Sequence, residues 1–174
     1  MYVRMKTKDI MQQVLTYKNK LFRYSLRIVG NVAEAEDVVQ EVFIKIWQSK
    51  QDLSQLQNLE AWCMKLTKNL SIDKLRSKHQ RLVGIPEGFD IRGNTATPHQ
   101  VTESNDTMKQ ITDLIDDLPE RQKHIIELRD VNGQSYQEIA DIMEISLDQV
   151  RVTLFRARKN LKAKLLKSKL YGPE

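Results

Sequence analysis

The strongest chemical signal in the sequence is a concentration of positive charge near its C-terminal end. Between residues 147 and 170, eight Lys or Arg side chains are present against one acidic side chain, Asp148. Such a surface attracts the phosphates of a nucleic acid regardless of base sequence, and residues at the start of a helix can reach base edges in the major groove. The net charge of +5 over 174 residues also favours a polyanionic partner, and the local pattern favours DNA.

Residues that could catalyse a reaction or bind a metal ion are few and poorly arranged. The three histidines lack the spacing of metal ligands, and no glycine loop of the phosphate-binding type is present. Cys63 is the only cysteine, which excludes an internal disulfide and a zinc–thiolate cluster, and it falls on a predicted apolar stripe. We therefore expect no catalytic residue, no metal site and no cofactor.

Apolar residues at helical spacing indicate that the first part of the chain consists of helices. With only six glycines and four prolines, the composition also favours helices over strands and turns. One apolar stripe extends from Ile10 to Ile28, and Gly30 ends that helix. Asn31, followed three residues later by Glu34, has the pattern of a helix cap. The next helix carries seven apolar residues on one face: Ala35, Val38, Val39, Val42, Phe43, Ile46 and Trp47.

The helical pattern is interrupted twice, and the second interruption divides the chain. A polar loop over 48–57 precedes a third helix, which Asn58 is positioned to cap. We expect five residues of that helix to face inward: Leu59, Trp62, Cys63, Leu66 and Leu70. Residues 81–104 contain three glycines, two prolines and no helical period, so they are interpreted as a linker. The predicted fold class is all-α, with two small helical domains over 1–80 and 105–174.

The second domain contains two capped helices separated by a short turn. A short helix predicted over 120–129 precedes them. Ser135 with Glu138, and Ser146 with Gln149, each have the spacing of a capping pair. This is the layout of a helix-turn-helix. The residues expected to face inward are Tyr136, Ile139, Ala140 and Met143 in the first capped helix and Val150, Leu154, Ala157 and Leu161 in the second.

Two apolar residues of the second capped helix do not fit its inward stripe. Val152 and Phe155 lie three residues apart, on a face that is otherwise rich in arginine. An exposed apolar pair there could pack against thymine methyl groups. Burial against the preceding helix would explain the same two residues equally well, and the sequence leaves both interpretations open.

The outer face of the second helix of the chain differs chemically from that basic surface. It carries Asp37, Gln40, Glu41 and Ile44 at offsets 0, 3, 4 and 7. Acidic and polar groups around one apolar side chain suit a basic protein surface and do not suit DNA. An ordinary solvated face would have a similar composition.

Three segments resemble conserved regions of bacterial sigma factors. The first, AEDVVQEVFIKIW over 35–47, is similar to region 2.2, and AWCMKLTKNLSIDKLR over 61–76 is similar to regions 2.3 and 2.4. The third extends from LPERQ through YQEIA to LFRARKNL, over 118–161, and resembles region 4. The resemblance covers about residues 20–80 and 108–166, without regions 1 and 3. This arrangement is similar to that of the extracytoplasmic-function (group IV) sigma factors.

The resemblance implies a role for each surface. Contact with the clamp helices of the polymerase β′ subunit is implied for Asp37, Gln40, Glu41 and Ile44. Leu53, in the 48–57 loop, matches the pocket position that captures a base flipped from the −10 element. Contact with the −10 element itself is implied for Lys65, Lys68, Asn69, Asp73 and Arg76, with further backbone contacts from Lys74 and Lys78. Contact with the −35 element is implied for Gln149, Arg151, Val152, Phe155, Arg156, Arg158 and Lys159.

These patterns together predict a sigma factor of the extracytoplasmic-function type. It would bind the β′ clamp helices and β flap of core RNA polymerase, recognise promoter DNA at −10 and −35, and support melting without catalysing a reaction. An anti-sigma factor is a further implied partner. No apolar run has the length of a signal peptide or a membrane span, so we expect no membrane insertion and a cytoplasmic location. The alternatives are a stand-alone helix-turn-helix regulator, in which the acidic face has no partner, and a nucleic-acid enzyme.

Overall fold

The protein folds into two compact all-α units. The structure, a computed structural model, describes residues 7–49, 53–83 and 106–170, and the two units lie on either side of the gap at 84–105. The first unit contains α1 (Thr7–Val29), α2 (Val32–Gln48) and α3 (Leu59–Val83), and the second contains α4 (Asp106–Asp116), α5 (Glu120–Ile126), α6 (Tyr136–Met143) and α7 (Leu147–Leu170). The fold class is therefore as predicted. Most of the predicted linker lies outside the described residues, although α3 continues to Val83.

The beginning of α2 confirms the predicted cap and most of the predicted apolar face. Gly30 has φ +71 and separates α1 from α2, and the Asn31 side chain accepts a hydrogen bond from the Glu34 N–H at 3.0 Å. The predicted residues Ala35, Val38, Val39, Val42 and Ile46 are all buried against α1 and α3. Local spacing was therefore sufficient to orient this helix.

The prediction that Phe43 and Trp47, near the end of α2, face the core is wrong. Phe43 is only half-buried, and Trp47 is 67% exposed. Trp47 lies about 100° around the helix from the buried Ile46, which takes it out of the arc that faces α1 and α3. It lies one residue from the end of α2, where no other described element covers it.

The inward face of α3 is rotated from the predicted one. Leu59 and Cys63 are buried as predicted, but Trp62, Leu66 and Leu70 are only half-buried. The other buried residues are Ala61, Met64, Thr67, Lys68 and Ser71. The physical reason is that α3 contacts both α1 and α2, so it buries a broad face that includes small hydroxyl side chains. The Ser71 hydroxyl lies 3.0 Å from the fully buried hydroxyl of Ser25 on α1, so these polar groups satisfy each other inside the core.

Both predicted capping pairs of the second unit are present. The Glu138 N–H donates to Ser135 Oγ at 3.2 Å, and the Ser135 N–H donates to Glu138 Oε2 at 2.6 Å. At the start of α7 the Gln149 N–H donates to Ser146 Oγ at 3.2 Å, and the Ser146 N–H donates to Gln149 Oε1 at 3.1 Å. The helix-turn-helix is therefore confirmed as α6 and α7.

Two details of this unit differ from the predictions. The helix predicted over 120–129 ends as an α-helix at Ile126 and continues as a π-helical turn, Glu127–Val131, before Gly133 with φ +72 redirects the chain. In the capped helices Ile139, Ala140, Val150, Leu154 and Ala157 are buried as predicted, whereas Tyr136, Met143 and Leu161 are half-buried. Ile142 is fully buried instead, because α6 packs against the π-helical turn as well as against α7.

Candidate nucleic-acid and protein interfaces

The outer face of α2 presents carboxylates beside an exposed apolar pair. Asp37, Gln40, Glu41 and Ile44 are all exposed, as predicted. Trp47 follows Ile44 by three residues, so the two exposed apolar side chains are neighbours on the helix surface. Sequence reasoning missed Trp47 as a surface residue because it counted the indole in the core. The signal that could have found it is its position in the last turn of the helix.

Ion pairs connect this face of α2 to α3. Lys74 Nζ lies 2.8 Å from Asp37 Oδ2, and Lys78 Nζ lies 2.9 Å from Glu34 Oε1. The Asp37 side chain remains 64% exposed, so its carboxylate can accept a further hydrogen bond. Two of the lysines predicted to hold promoter phosphates are thus engaged with α2 in this structure.

Four of the residues predicted to contact the −10 element share one surface of α3. Lys65, Asn69, Asp73 and Arg76 follow one another at offsets 0, 4, 8 and 11, and the last two are exposed. Lys68 does not join them. It is 7% exposed and lies on the packed face of α3, where its alkyl stem adds to the core. Its predicted contact with the DNA backbone is therefore not supported by its position.

Leu53, predicted at a base-capturing position, lies in a 3-10 turn, Leu53–Gln55. It is only 6% exposed, so its side chain closes the edge of the core and does not project from the loop. Residues 50–52 of the same loop lie outside the described residues. The assignment of Leu53 to base capture stays a prediction.

The start of α7 carries the residues predicted to read DNA, and all of them are exposed. The set is Gln149, Arg151, Val152, Phe155, Arg156, Arg158 and Lys159. Val152 is 47% and Phe155 is 70% exposed, which excludes burial against α6 and resolves the question that the sequence left open. The surface therefore combines guanidinium and ammonium groups with an exposed apolar pair, a combination suited to phosphates and thymine methyl groups.

One of these arginines is held by a residue that the sequence did not indicate. Arg158 donates from Nε to Asp130 Oδ2 at 3.2 Å and from Nη2 to Asp130 Oδ1 at 2.5 Å. This hydrogen bonding raises the pKa of the Arg158 guanidinium, which remains charged. Asp130 lies in the π-helical turn, 28 residues before Arg158, so no local pattern relates the two.

Possible metal ligands, the single thiol and the length of the helices each bear on the other functions that the described residues could serve. Over 7–49, 53–83 and 106–170, no group of three or more His, Cys, Asp or Glu residues is arranged to hold a metal ion. Burial raises the pKa of the Cys63 thiol from 9.0 to about 12, so it is not an activated nucleophile. None of the helices described here is long and apolar enough to cross a membrane.

Comparison with known families assigns both units. The family model described as Sigma-70 region 2 matches residues 14–81, and the one described as Sigma-70, region 4 matches residues 108–161. The presence of both regions in one chain argues against a stand-alone helix-turn-helix regulator, and sigma factors are non-enzymatic initiation factors.

Curated relatives point to one branch of that family. The ECF RNA polymerase sigma-E factor of Haemophilus influenzae is 30% identical over 161 residues, covering 87% of this chain and 85% of that protein. The ECF sigma factor SigW of Bacillus subtilis is 28% identical over 86% of this chain and 84% of that protein. SigE of Mycolicibacterium smegmatis is 30% identical over 88% of this chain, which spans only 60% of that longer relative.

Solved structures agree with this assignment. The sigma factor RpoE of Bartonella quintana, in complex with the anti-sigma factor NepR, superposes with a TM-score of 0.72 at 26% identity, over 92% of this chain and 98% of that one. CnrH, in complex with the cytosolic domain of CnrY, superposes with a TM-score of 0.62 over 92% of this chain and 89% of that one. At 19% identity that second likeness shows the fold alone. With its two sigma-70 regions in order and its exposed basic α7, the chain belongs to the ECF RNA polymerase sigma factors, proteins of transcription initiation that are not enzymes.

Proposed function

We propose that α2 docks this sigma factor on core RNA polymerase while α3 and α7 contact the −10 and −35 elements of the promoter. The proposal is carried by the opposite chemistry of two exposed helix faces. α2 presents Asp37 and Glu41 around an apolar pair, whereas α7 presents cations. One such face suits a basic protein surface and the other suits phosphates, so a single chain can bridge polymerase and DNA.

The polymerase-binding surface comprises Asp37, Gln40, Glu41 and Ile44, to which we add Trp47. Aromatic side chains surrounded by polar groups are frequent energetic centres of protein interfaces. Ile44 and Trp47 are 52% and 67% exposed, so both can bury apolar area against a partner. The β′ clamp helices are the proposed partner of this surface, and the β flap is the proposed partner of the region 4 unit.

The promoter-binding surfaces follow the same division of the chain. Residues 1–80 would bind polymerase and the −10 element, 81–104 would connect the units, and 105–174 would bind the −35 element. On α3, a mixed surface including Asn69 and Arg76 suits bases and phosphates of a melting strand. We propose that this surface supports promoter melting, with affinity for DNA residing in the complex with polymerase.

We also propose a protein regulator and a cytoplasmic location. Bartonella quintana RpoE is found in complex with an anti-sigma factor, and this chain resembles it over 92% of its length. An anti-sigma factor that covers the exposed polymerase-binding or DNA-binding faces would hold the protein inactive. The cytoplasmic location follows from the proposed partners, because polymerase and promoter DNA are found there.

The decisive experiment combines charge reversal with run-off transcription. Asp37→Lys with Glu41→Lys is expected to reduce binding to core polymerase at least tenfold and to abolish promoter-specific transcripts, because a basic partner surface would then meet like charge. The matched control is Asp113→Lys with Asp117→Lys on the other unit. These two residues have the same spacing and undergo the same charge change, and the control also breaks an ion pair with a lysine, Lys164, as the α2 variant does with Lys74. Unchanged polymerase binding by the α2 variant would overturn the docking proposal. Absence of any promoter-specific transcript from the natural chain would overturn the promoter assignment.

A further inference from the structure

The contact between Asp130 and Arg158 is unusual among the exposed ion pairs of α7. It is bidentate and connects two separate elements, the π-helical turn Glu127–Val131 and α7. The other pair near the DNA-reading start of α7 joins Arg151 to Asp148 by one hydrogen bond of 3.1 Å within a single helical turn. A two-bond contact fixes the plane of a guanidinium, whereas a one-bond contact allows it to turn.

Hydrogen bonds on both sides of Asp130 hold the turn that carries it. The side-chain amide of the buried Asn132 donates to the Glu127 carbonyl at 2.9 Å, which pins the two ends of the π-helical turn together. Arg129 Nη1 donates to the carbonyl of the buried Gln134 at 2.8 Å, and its guanidinium lies 5.0 Å from the centre of the Tyr136 ring. The carboxylate of Asp130 is thus attached to a turn with few ways to move.

Arg158 retains hydrogen-bonding capacity toward DNA. A guanidinium has five N–H donors. Asp130 uses one on Nε and one on Nη2, and the Tyr136 hydroxyl is a further hydrogen-bonding partner, so two remain. The Arg158 side chain is 50% exposed, and it shares a face of α7 with Arg151 and Phe155, at offsets 7, 0 and 4. A planar group held along one edge by a carboxylate can offer its other edge to a guanine base of the −35 element.

We infer that Asp130 is a positioning residue for promoter recognition, which holds the Arg158 guanidinium in the orientation that contacts the −35 element. The inference rests on the proposed role of α7 at that element. Holding the side chain in place before binding reduces the conformational entropy that is lost when the DNA contact forms. Asp130 therefore strengthens DNA binding through Arg158, although its own negative charge repels phosphates.

The two effects of Asp130 have opposite signs, which makes the inference testable. If its charge alone mattered, Asp130→Asn would remove a repulsion and tighten DNA binding. If positioning dominates, the same substitution weakens binding, because one edge of the Arg158 guanidinium then meets an amide NH2 in place of a carboxylate oxygen. We expect a loss of about 3- to 10-fold in affinity, the effect of releasing one ordered side chain.

The experiment uses holoenzyme assembled from core polymerase and the full chain. Its probes are a promoter fragment that supports run-off transcription and the same fragment with a scrambled −35 element. Asp130→Asn is expected to weaken binding to the intact fragment and not to weaken binding to the scrambled fragment, where only the loss of phosphate repulsion acts. Asp117→Asn is the matched control, because it removes the same charge from an exposed ion pair with Lys164 of α7, away from the DNA-reading face. This control should change the affinity for neither fragment by more than twofold.

A double substitution separates positioning from a structural role. In an Arg158→Ala background, Asp130→Asn should cause no further loss, because its effect is transmitted through Arg158. Equal or tighter binding of Asp130→Asn to the intact promoter would overturn the inference, as would an equal loss on the scrambled fragment or a further loss in the Arg158→Ala background. If scrambling the −35 element does not affect the natural holoenzyme, the proposed role of α7 fails, and the inference about Asp130 fails with it.

Discussion

Trp47→Ala is expected to weaken binding to core polymerase by about 30- to 1,000-fold with little change in the stability of the first unit. The indole is 67% exposed, so an aromatic side chain that can bury about 150–250 Å² has on the order of 100–150 Å² left to bury against a partner. At about 25 cal/mol per Å², this area corresponds to roughly 2.5–4 kcal/mol, an upper limit. Truncation of interface centres costs about 2–4 kcal/mol, which gives the stated range of affinity.

The assay is a fluorescence titration of labelled chain with core polymerase, combined with urea unfolding of the free chain. Ile46→Ala is the matched control, because Ile46 precedes Trp47 in α2 but is 1% exposed. It is expected to lower the free energy of unfolding by about 2–5 kcal/mol through loss of core packing. While it stays folded, it should bind polymerase with little change in Kd.

Two results would refute this reasoning. A change in Kd below threefold for Trp47→Ala would show that the exposed indole does not contact the polymerase. A loss of stability as large as that of Ile46→Ala would show that Trp47 belongs to the core, as the apolar periodicity of α2 predicts. The Kd for polymerase and the free energy of unfolding are measured independently, so each result can be interpreted by itself.

Three further substitutions or measurements test the local structure. Ser135→Ala removes the hydroxyl that accepts a hydrogen bond from the Glu138 N–H at 3.2 Å. The substitution should lower the free energy of unfolding of the second unit by about 1 kcal/mol, measured as a fall in Tm of about 4–8 °C. An unchanged Tm would contradict the role of this cap. Gly133→Ala should lower the free energy of unfolding in urea by about 1–2 kcal/mol. A Cβ there meets nothing within 4 Å, so the cost comes only from backbone strain at φ +72, and an unchanged free energy would show that the turn relaxes. Because burial raises the pKa of Cys63 to about 12, a thiol reagent at pH 8 should react slowly with the native chain and quickly with the chain unfolded in urea. The free energy of unfolding should also fall as the pH rises from 9 toward 12, because only the unfolded chain then ionises this thiol. Fast labelling of the native chain would contradict the burial of Cys63.

The features that could be predicted from the sequence are those decided within a few residues. A helix cap depends on residues three apart, and the caps at Asn31, Ser135 and Ser146 are all present. The direction of an amphipathic face also depends on local spacing, which explains why Val38 and Val42 of α2 are buried as predicted. The exposure of the arginines at the start of α7 followed from the same kind of pattern, whereas the exposure of Val152 and Phe155 did not, because their spacing fitted burial against α6 equally well.

The features that could not be predicted depend on which neighbour covers each helix face. α3 packs against two helices at once, so Lys68 is buried although its type suits the surface. Trp47 is exposed because it lies about 100° around α2 from Ile46, outside the arc that faces α1 and α3. Asp130 is 28 residues from Arg158, and only the packing of the π-helical turn beside α7 brings them together. Periodicity gives the direction of a face but not the width of its contact.

The ion pairs between α2 and α3 bear on how the charged surfaces can be tested. Lys74–Asp37 and Lys78–Glu34 are partly exposed pairs, which contribute only about 0–1 kcal/mol each to stability. The apolar residues that α1, α2 and α3 bury together therefore hold the first unit folded, and its surface carboxylates remain available for recognition. It follows that reversing the charge of Asp37 should leave the unit folded, so a loss of polymerase binding reports on the interface. Replacement of the buried Lys68 would instead perturb the packing of α3, and any loss of promoter binding in such a variant would not identify a DNA contact.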